Sequence, residues 1–546
     1  MILTTASITT RSQYSELTSA STTTPKRPSL CTATRIINYP RTRISVTLSS
    51  SSSSSSSPTP NKPTKPIKPN ATPRHHHLHK LKGLSITLPP CDEAAERSSL
   101  GVGVGVGGRR MLVLCGLGYW VQGLRCFPWL ALDFHMAGSM RLTPSLLQLL
   151  QSFGCLPVVA KPFYGVLSDA LYIGSAHRLP YISLGVLLQI ISWGLLALLP
   201  FAGERITTLM ACILVSNLGA SISEVASDAL VAEYGKKRKV GGLQAYSFMA
   251  LAAGGIVGNL FGGYFLLKTA QPKSLFLIFT LLLSLQLAVS SSTREDSLGL
   301  PCPPKALTRR PIVEILGENF SSLIKAIRKE RIFFPLCWVA SSIAFVPILS
   351  GTMFCYQTQF LNLNASVIGL SKVTGQLVLL FATVIYERHL KKIPMSTLIG
   401  TVQIMYAASL LLDLVLVKQI NLRVGVSNET FTLYLSGLAE TISQFKLLPF
   451  TVLFASLCPP GCEGTLTSFL ASALCLSSIV SGLLGVGLAS LIGVSYGDYS
   501  NLQFGIMLQF LAALVPLGWL SFLPRHHIGE EERQSRIRIK RSQKGT

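Results

Sequence analysis

The chain has 546 residues, of which 49% are hydrophobic and only 13% charged, with a mean hydropathy of +0.46. A water-soluble domain carries about 25% charged residues, so this composition excludes an ordinary soluble enzyme. The formal charge of +24 would suit a phosphate binder, but Lys and Arg gather in an N-terminal arm, a few short loops and a C-terminal tail. Membrane topology predicts that distribution, and no nucleic-acid partner is expected.

From Met1 to Cys91 the only acidic residue is Glu16, and hydroxyl residues dominate, including the unbroken run Ser49 to Ser57. Such a segment buries too little apolar area to offset its ordering entropy. Residues 1–100 therefore read as a disordered transit peptide and linker with no secretory h-region. Its Ser-Thr-Pro character favours the chloroplast, and a cytosolic disordered tail is the alternative. His75, His76, His77 and His79 form a solvated basic cluster, and no metal site or cofactor is expected. Gly101 to Gly108 lacks the Gly-Lys-Ser/Thr of a P-loop and a preceding strand, so it reads as a linker or the entry to the first helix.

Apolar segments predict spans near 111–134, 144–166, 179–201, 206–232, 241–267 and 274–291, then 332–360, 365–386, 395–417, 431–457, 464–492 and 501–523, each about the 20 residues a bilayer requires. The expected fold is an all-α membrane protein with two six-helix bundles, 109–291 and 332–523, joined by a basic central loop 292–331 and followed by a basic tail 524–546. With both termini on one side, the loops there hold Arg178, Lys236 to Lys239, the central-loop cations and Arg388. The opposite loops offer only Arg141, Arg205, Lys268, Lys273, Lys418 and Arg423. The asymmetry supports an even span count. Most cysteines, such as Cys115, Cys212 and Cys355, lie in apolar stretches and behave as small hydrophobes. Cys458 and Cys462 frame a Pro-Pro-Gly turn without a second ligand pair. Asn428-Glu429-Thr430 matches a glycosylation acceptor that a plastid protein would not present to that machinery.

Two six-helix halves around a basic loop suit a transporter built from repeats, with its site near the midplane. The loop after the second span, Gly165-Val-Leu-Ser-Asp169 with Gly174 and Arg178, resembles the G-x-L-x-D loop of the major facilitator superfamily. There an acid and a base at helix ends can act as a gate, and a helix-capping Asp169 is the simpler alternative. Four strings are more specific. They are Tyr119-Trp-Val-Gln-Gly-Leu-Arg125-Cys-Phe127-Pro-Trp129, Ala160-Lys161-Pro-Phe-Tyr-Gly165, Ser227-Asp228-Ala-Leu-Val-Ala-Glu233, and Leu457-Cys-Pro-Pro-Gly-Cys-Glu-Gly464. Together they resemble the folate-biopterin transporter family, and the start is similar to its plant chloroplast-type members. The resemblance implies a major-facilitator fold with twelve transmembrane helices and a monomer in the lipid bilayer of the chloroplast, in the inner envelope. It also implies secondary active transport of folates or related pterins, with proton coupling as an option, and no enzyme activity. Two departures stand out: Glu224 replaces an expected Asp, and the seventh span lacks an expected acid. A carrier of another organic anion or solute, and a non-transporting receptor on this fold, are the competing readings.

An ionisable residue inside a span costs about 2.5–3.5 kcal/mol on insertion scales and marks a pathway or a partner. Arg125, about fourteen residues into the first span, is the leading candidate for a substrate carboxylate, or else pairs with an acid such as Asp228. Glu224 and Asp228 share a helix face and are the proton-coupling candidates, unless they bridge to Lys161 or Arg178. Lys161 can also snorkel to the headgroups. In the tenth span, Glu440 and Lys446 are candidates for the same pathway, and Asp413 lies late in the ninth span. Phe127 and Trp129 can stack on a flat ring or simply pack.

Overall fold

The computed structural model describes residues 106–522 with gaps, the largest at 239–242, 299–316 and 458–462. The expected transit peptide, the histidine cluster, Gly174, the Cys458–Cys462 turn and the basic tail lie outside the described residues. Among the described residues the regular structure is helical, with only two isolated bridges in loops.

Nine helices among the described residues are long and apolar enough to cross a membrane. Their outer faces are greasy in the way lipid demands. On the third span, Leu179–Leu198, the exposed Leu187, Ile191 and Leu195 form one stripe, while Val186, Gln189, Trp193 and Leu196 are buried opposite. The same holds for Leu277, Leu281 and Leu285 on the sixth span, Pro272–Ser292. In water such stripes would aggregate; in a bilayer they are solvated by acyl chains.

The other expected spans, the first, seventh and tenth, are helical but interrupted, and proline explains two of the interruptions. In the first, Val106–Gly123 and Cys126–Phe134 meet at Arg125. Pro128 has no N–H to offer Leu124, whose carbonyl accepts from Phe127 N at 2.9 Å instead. The seventh was expected as one span over 332–360, yet Glu330–Ala344 stops before Pro347 and the helix resumes at Ser350–Cys355. The exposed backbone is satisfied by the eleventh span, Glu463–Leu491: Ile348 N donates to Ser481 O at 3.2 Å, and the Ser481 hydroxyl donates to Val346 O. A Cβ on Gly485 would overlap the Ile348 carbonyl, so glycine is required there. The tenth starts as Asn428–Phe431, passes through a π turn at Thr432–Ser436 and continues as Leu438–Leu457.

A local motif repeats between the halves. The first span ends in a π turn, His135–Ser139, followed by left-handed Arg141 (φ 48°) and extended Thr143. The seventh ends in a π turn, Tyr356–Phe360, followed by left-handed Asn362 (φ 51°) and extended Asn364. The two turns close with equivalent bonds, Leu142 N to Met136 O and Leu363 N to Gln357 O. This is the structural trace of an internal repeat.

The halves meet through paired spans. The second, Pro144–Asp169, lies along the eleventh, and the fifth, Leu243–Thr269, along the eighth, Ala365–Arg388. Contacts run from one end to the other. Gly351 N donates to Gln148 Oε1 at 2.5 Å, the Ser472 hydroxyl donates to Val159 O, and a Cβ on Gly165 would lie 3.9 Å from Ser468 Oγ.

Candidate functional site: a buried charge cluster and a gate

Both central cations of the first half sit at helix interruptions. Arg125 occupies the break made by Pro128, and Lys161 opens a new turn, Lys161–Ala170, ahead of Pro162. The fourth span, Ile206–Arg238, runs beside them and supplies the acids. Glu224 bridges the two cations with one oxygen each: Arg125 Nη1 donates to Oε1 at 2.9 Å and Lys161 Nζ to Oε2 at 2.5 Å. Arg125 Nη2 also donates to Asn217 Oδ1 at 2.7 Å, and Asn217 is held by Gly154 O at 2.6 Å. One turn along, Asp228 accepts from the Tyr119 hydroxyl at 2.5 Å. First, second and fourth spans are thus tied by one polar network.

Arg125, Lys161, Glu224 and Asp228, singled out in the sequence, are therefore brought together. The partner of Arg125 is Glu224, one turn earlier than the Asp228 pairing considered above. Arg125 Nε is buried without a partner. A cavity of about 10 Å³ lined by Arg125, Glu224, Ser227, Gln122, Gln189 and Gln286 adjoins the cluster, room for a single water.

Other candidates fall elsewhere. Phe127 is only 2% exposed and lies edge-on to Phe265, with centroids 6.3 Å apart, so it offers no open face for stacking on a solute. Trp129 is half-buried and edge-on to Trp193 at 6.2 Å. Lys446 is 1% exposed and enclosed by its own half. It donates to Gln403 Oε1 at 3.2 Å and Ser342 O at 3.5 Å and lies 5.1 Å from the Tyr406 ring centroid. Glu440 is exposed and accepts from Gln444 at 3.4 Å.

The residues expected to gate, Asp169 and Arg178, form an ion pair at the basic-loop end. Arg178 is 4% exposed, and its Nη2 reaches Asp169 Oδ1 and Glu233 Oε1, each at 2.5 Å, while Nη1 donates to Ser168 Oγ at 2.7 Å. Glu295 caps the third span by accepting from the backbone N–H groups of His177, Arg178 and Leu179 at 2.6, 2.5 and 2.7 Å. A carboxylate on a helix N-terminus is favoured by the helix dipole. Burial and the adjacent Arg178 guanidinium push the His177 pKa down. Replacing Arg178 by Ala leaves Asp169 and Glu233 facing each other without a cation. Transport is expected to fall roughly tenfold or more. Arg178→Lys is also impaired, because a point charge cannot serve three acceptors at once. Initial rates in liposomes, with size-exclusion profiles as the folding control, measure this; unchanged rates in both variants would remove the gate.

Tyr119 stood in a family-like string without a role of its own, while Asn217 and Glu295 were overlooked, as were Asp133 and Lys372, two ionisable residues inside apolar spans. The buried-charge rule applied to every span would have found the last two.

Helices with lipid-facing stripes, two halves carrying a repeated motif, a charge cluster among the spans of the first half and an ion-paired loop define a secondary transporter of the major-facilitator type. A POT-family peptide transporter in an auto-inhibited form has the same fold at 15% identity, with a TM-score of 0.55 over 77% of this chain and 98% of that one. Residues 122–542 match the model of the BT1 family. Arabidopsis thaliana "Probable folate-biopterin transporter 8, chloroplastic" is 56% identical over 439 residues, 80% of each chain. The corresponding transporter 9 is 57% identical over 434 residues, covering 79% of this chain and 80% of the relative. The chain belongs to the BT1 family of folate-biopterin transporters. It is a multi-pass membrane protein of the chloroplast that moves a small molecule, and not an enzyme.

Proposed function

We propose that the chain carries folates or related pterins across the chloroplast inner envelope by alternating access, with a proton accompanying the anion. The solute class is suggested by what the family relatives are named for. The observation that carries the mechanism is the charge of the cluster. Arg125 and Lys161 share Glu224, leaving one positive charge beside Asp228. With Asp228 ionised the group is neutral; with Asp228 protonated it is cationic and suited to a carboxylate. Taking up a proton and an anion together therefore keeps the net charge of the cluster unchanged.

In this reading the bundles 109–291 and 332–523 rock as a monomer about that level, Asp169 and Arg178 gate the basic-loop side, and residues 1–100 direct import. Counterflow of labelled folate in liposomes containing the purified chain tests the proposal. Uptake above that of empty liposomes is expected; its absence with folded protein rejects the solute. A thermal-shift screen then distinguishes another organic anion, since only a ligand of the native state raises the melting temperature.

A further inference from the structure

The second and eleventh spans touch along a seam with a single antiparallel register. Gly165 approaches Ser468, the Ser472 hydroxyl donates to Val159 O, Cys475 Sγ donates to Cys155 O at 3.5 Å, and Gly482 has no room for a Cβ beside Ser152 Oγ. The residue numbers fall on one helix as they rise on the other. That register brings one cysteine from each half to the same level, and both are free thiols.

Cys155 follows the helix Pro144–Gly154 and precedes the short turn Leu156–Val159. Its carbonyl accepts from Val158 N at 3.0 Å as well as from the Cys475 thiol. A disulfide joins residues whose Cα atoms are about 4.4–6.8 Å apart, in keeping with a thiol that already touches its partner's backbone. Cys475 is 5% exposed, whereas Cys155 is half-buried, so Cys155 is the sulfur that a small reagent meets first. The pair also adjoins the charge cluster. Gly154 O, one residue before Cys155, holds Asn217 at 2.6 Å, and Asn217 in turn holds Arg125 at 2.7 Å.

We propose that Cys155 and Cys475 form a redox lock on this seam, two thiols while the carrier cycles and a disulfide when hydrogen peroxide is present. The Cys155 thiol gives up its proton and its sulfur attacks a peroxide oxygen. The O–O bond breaks, one water leaves, and Cys155 becomes a sulfenic acid. The Cys475 sulfur then attacks Cys155 Sγ; the S–O bond breaks, and the hydroxide departs with the thiol proton as a second water. Both sulfurs are oxidised and the peroxide is reduced. A small neutral oxidant enters a seam that a protein oxidant cannot. A soluble dithiol reverses the bond by exchange and is itself oxidised to a disulfide. Alternating access requires these two spans to part, so the covalent bond stops the cycle without occupying the solute site. The inference rests on the alternating-access reading above and not on the identity of the solute.

The test treats the purified full chain in liposomes with hydrogen peroxide, maps disulfides by mass spectrometry of unreduced peptides and follows folate counterflow. Peptides linked through Cys155 and Cys475 are expected. Counterflow should fall to the level of empty liposomes as linkage nears completion and return on dithiothreitol. Cys155→Ser and Cys475→Ser, which nearly preserve side-chain size, should transport like the untreated wild type and keep their rates through the same treatment. Equal loss of rate in both serine variants, the absence of the linked peptides, or full counterflow by fully linked protein would overturn the lock. If the untreated wild type moves no folate, the solute reading fails, and thermal unfolding then judges the lock. Joining residues this far apart in sequence should raise the melting temperature of the oxidised wild type and leave Cys475→Ser unchanged; no rise in fully linked protein overturns the proposal. Because the native pair responds to oxidant, Cys475→Ser is the background for any engineered cross-link between the halves.

Discussion

Glu224→Ala is expected to abolish transport and to lower the yield of folded protein. The carboxylate is the only anion bridging Arg125 and Lys161 among the described residues, and it is 9% exposed. Removing it leaves buried Lys161 and half-buried Arg125 close together with no counter-charge. Breaking a buried pair from one side costs about 3–5 kcal/mol, because the remaining charge stays desolvated. Here two charges are stranded, so the effect sits at the upper end. Glu224→Asp separates charge from reach: the side chain is one methylene shorter and can serve one cation well but not both. Partial folding and a reduced rate are expected, against none for Ala. Size-exclusion profiles and initial counterflow rates read both outcomes. A folded, active Glu224→Ala protein would show that the cluster is dispensable.

Asp228→Asn is expected to separate exchange from accumulation. Asparagine imitates the protonated acid, fixes the cluster in its cationic form and still accepts from Tyr119. Counterflow, which needs only binding and rocking, should persist within a few-fold. Uptake driven by a pH gradient should disappear, because the group that takes up and releases the proton is gone. Tyr119→Phe removes the hydroxyl donor but keeps the acid, so gradient-driven uptake should survive with an altered pH dependence. Undiminished gradient-driven uptake in Asp228→Asn would move the coupling role elsewhere.

The spans and their order were legible because lipid imposes a long apolar stretch on each of them, and that signal is local. Arg125, Glu224 and Asp228 were legible for the same reason, as costly exceptions in apolar surroundings. Their pairing was not. Whether Arg125 meets Glu224 or Asp228 is decided by one helical turn, which depends on how Pro128 breaks the first span and how Gly123 packs against the Leu251 carbonyl. Phe127 and Lys446 show the converse: their chemistry suited a solute site, and it is packing against the fifth and ninth spans, not visible in the sequence, that sets their surroundings. Lys372 escaped notice because Ser371, Thr374, Gly375 and Gln376 surround it and make that turn read as merely polar. Asp133 lies at the end of the first span, where a charge looks like a surface residue. In the structure it is buried because the chain continues through the π turn His135–Ser139 and folds back.

Alternating access requires the two halves to part and close around the charge cluster. Gly165 and Ser468 approach each other at the basic-loop end of the second and eleventh spans, where a Cβ on Gly165 would lie 3.9 Å from Ser468 Oγ, so a cysteine pair there can be tested for cross-linking. Counterflow by the Gly165→Cys/Ser468→Cys protein, before and after oxidation, is the most direct measurement. Transport should stop when the pair is cross-linked and return on reduction, with each single variant unaffected. Full transport by completely cross-linked protein would contradict alternating access through this interface.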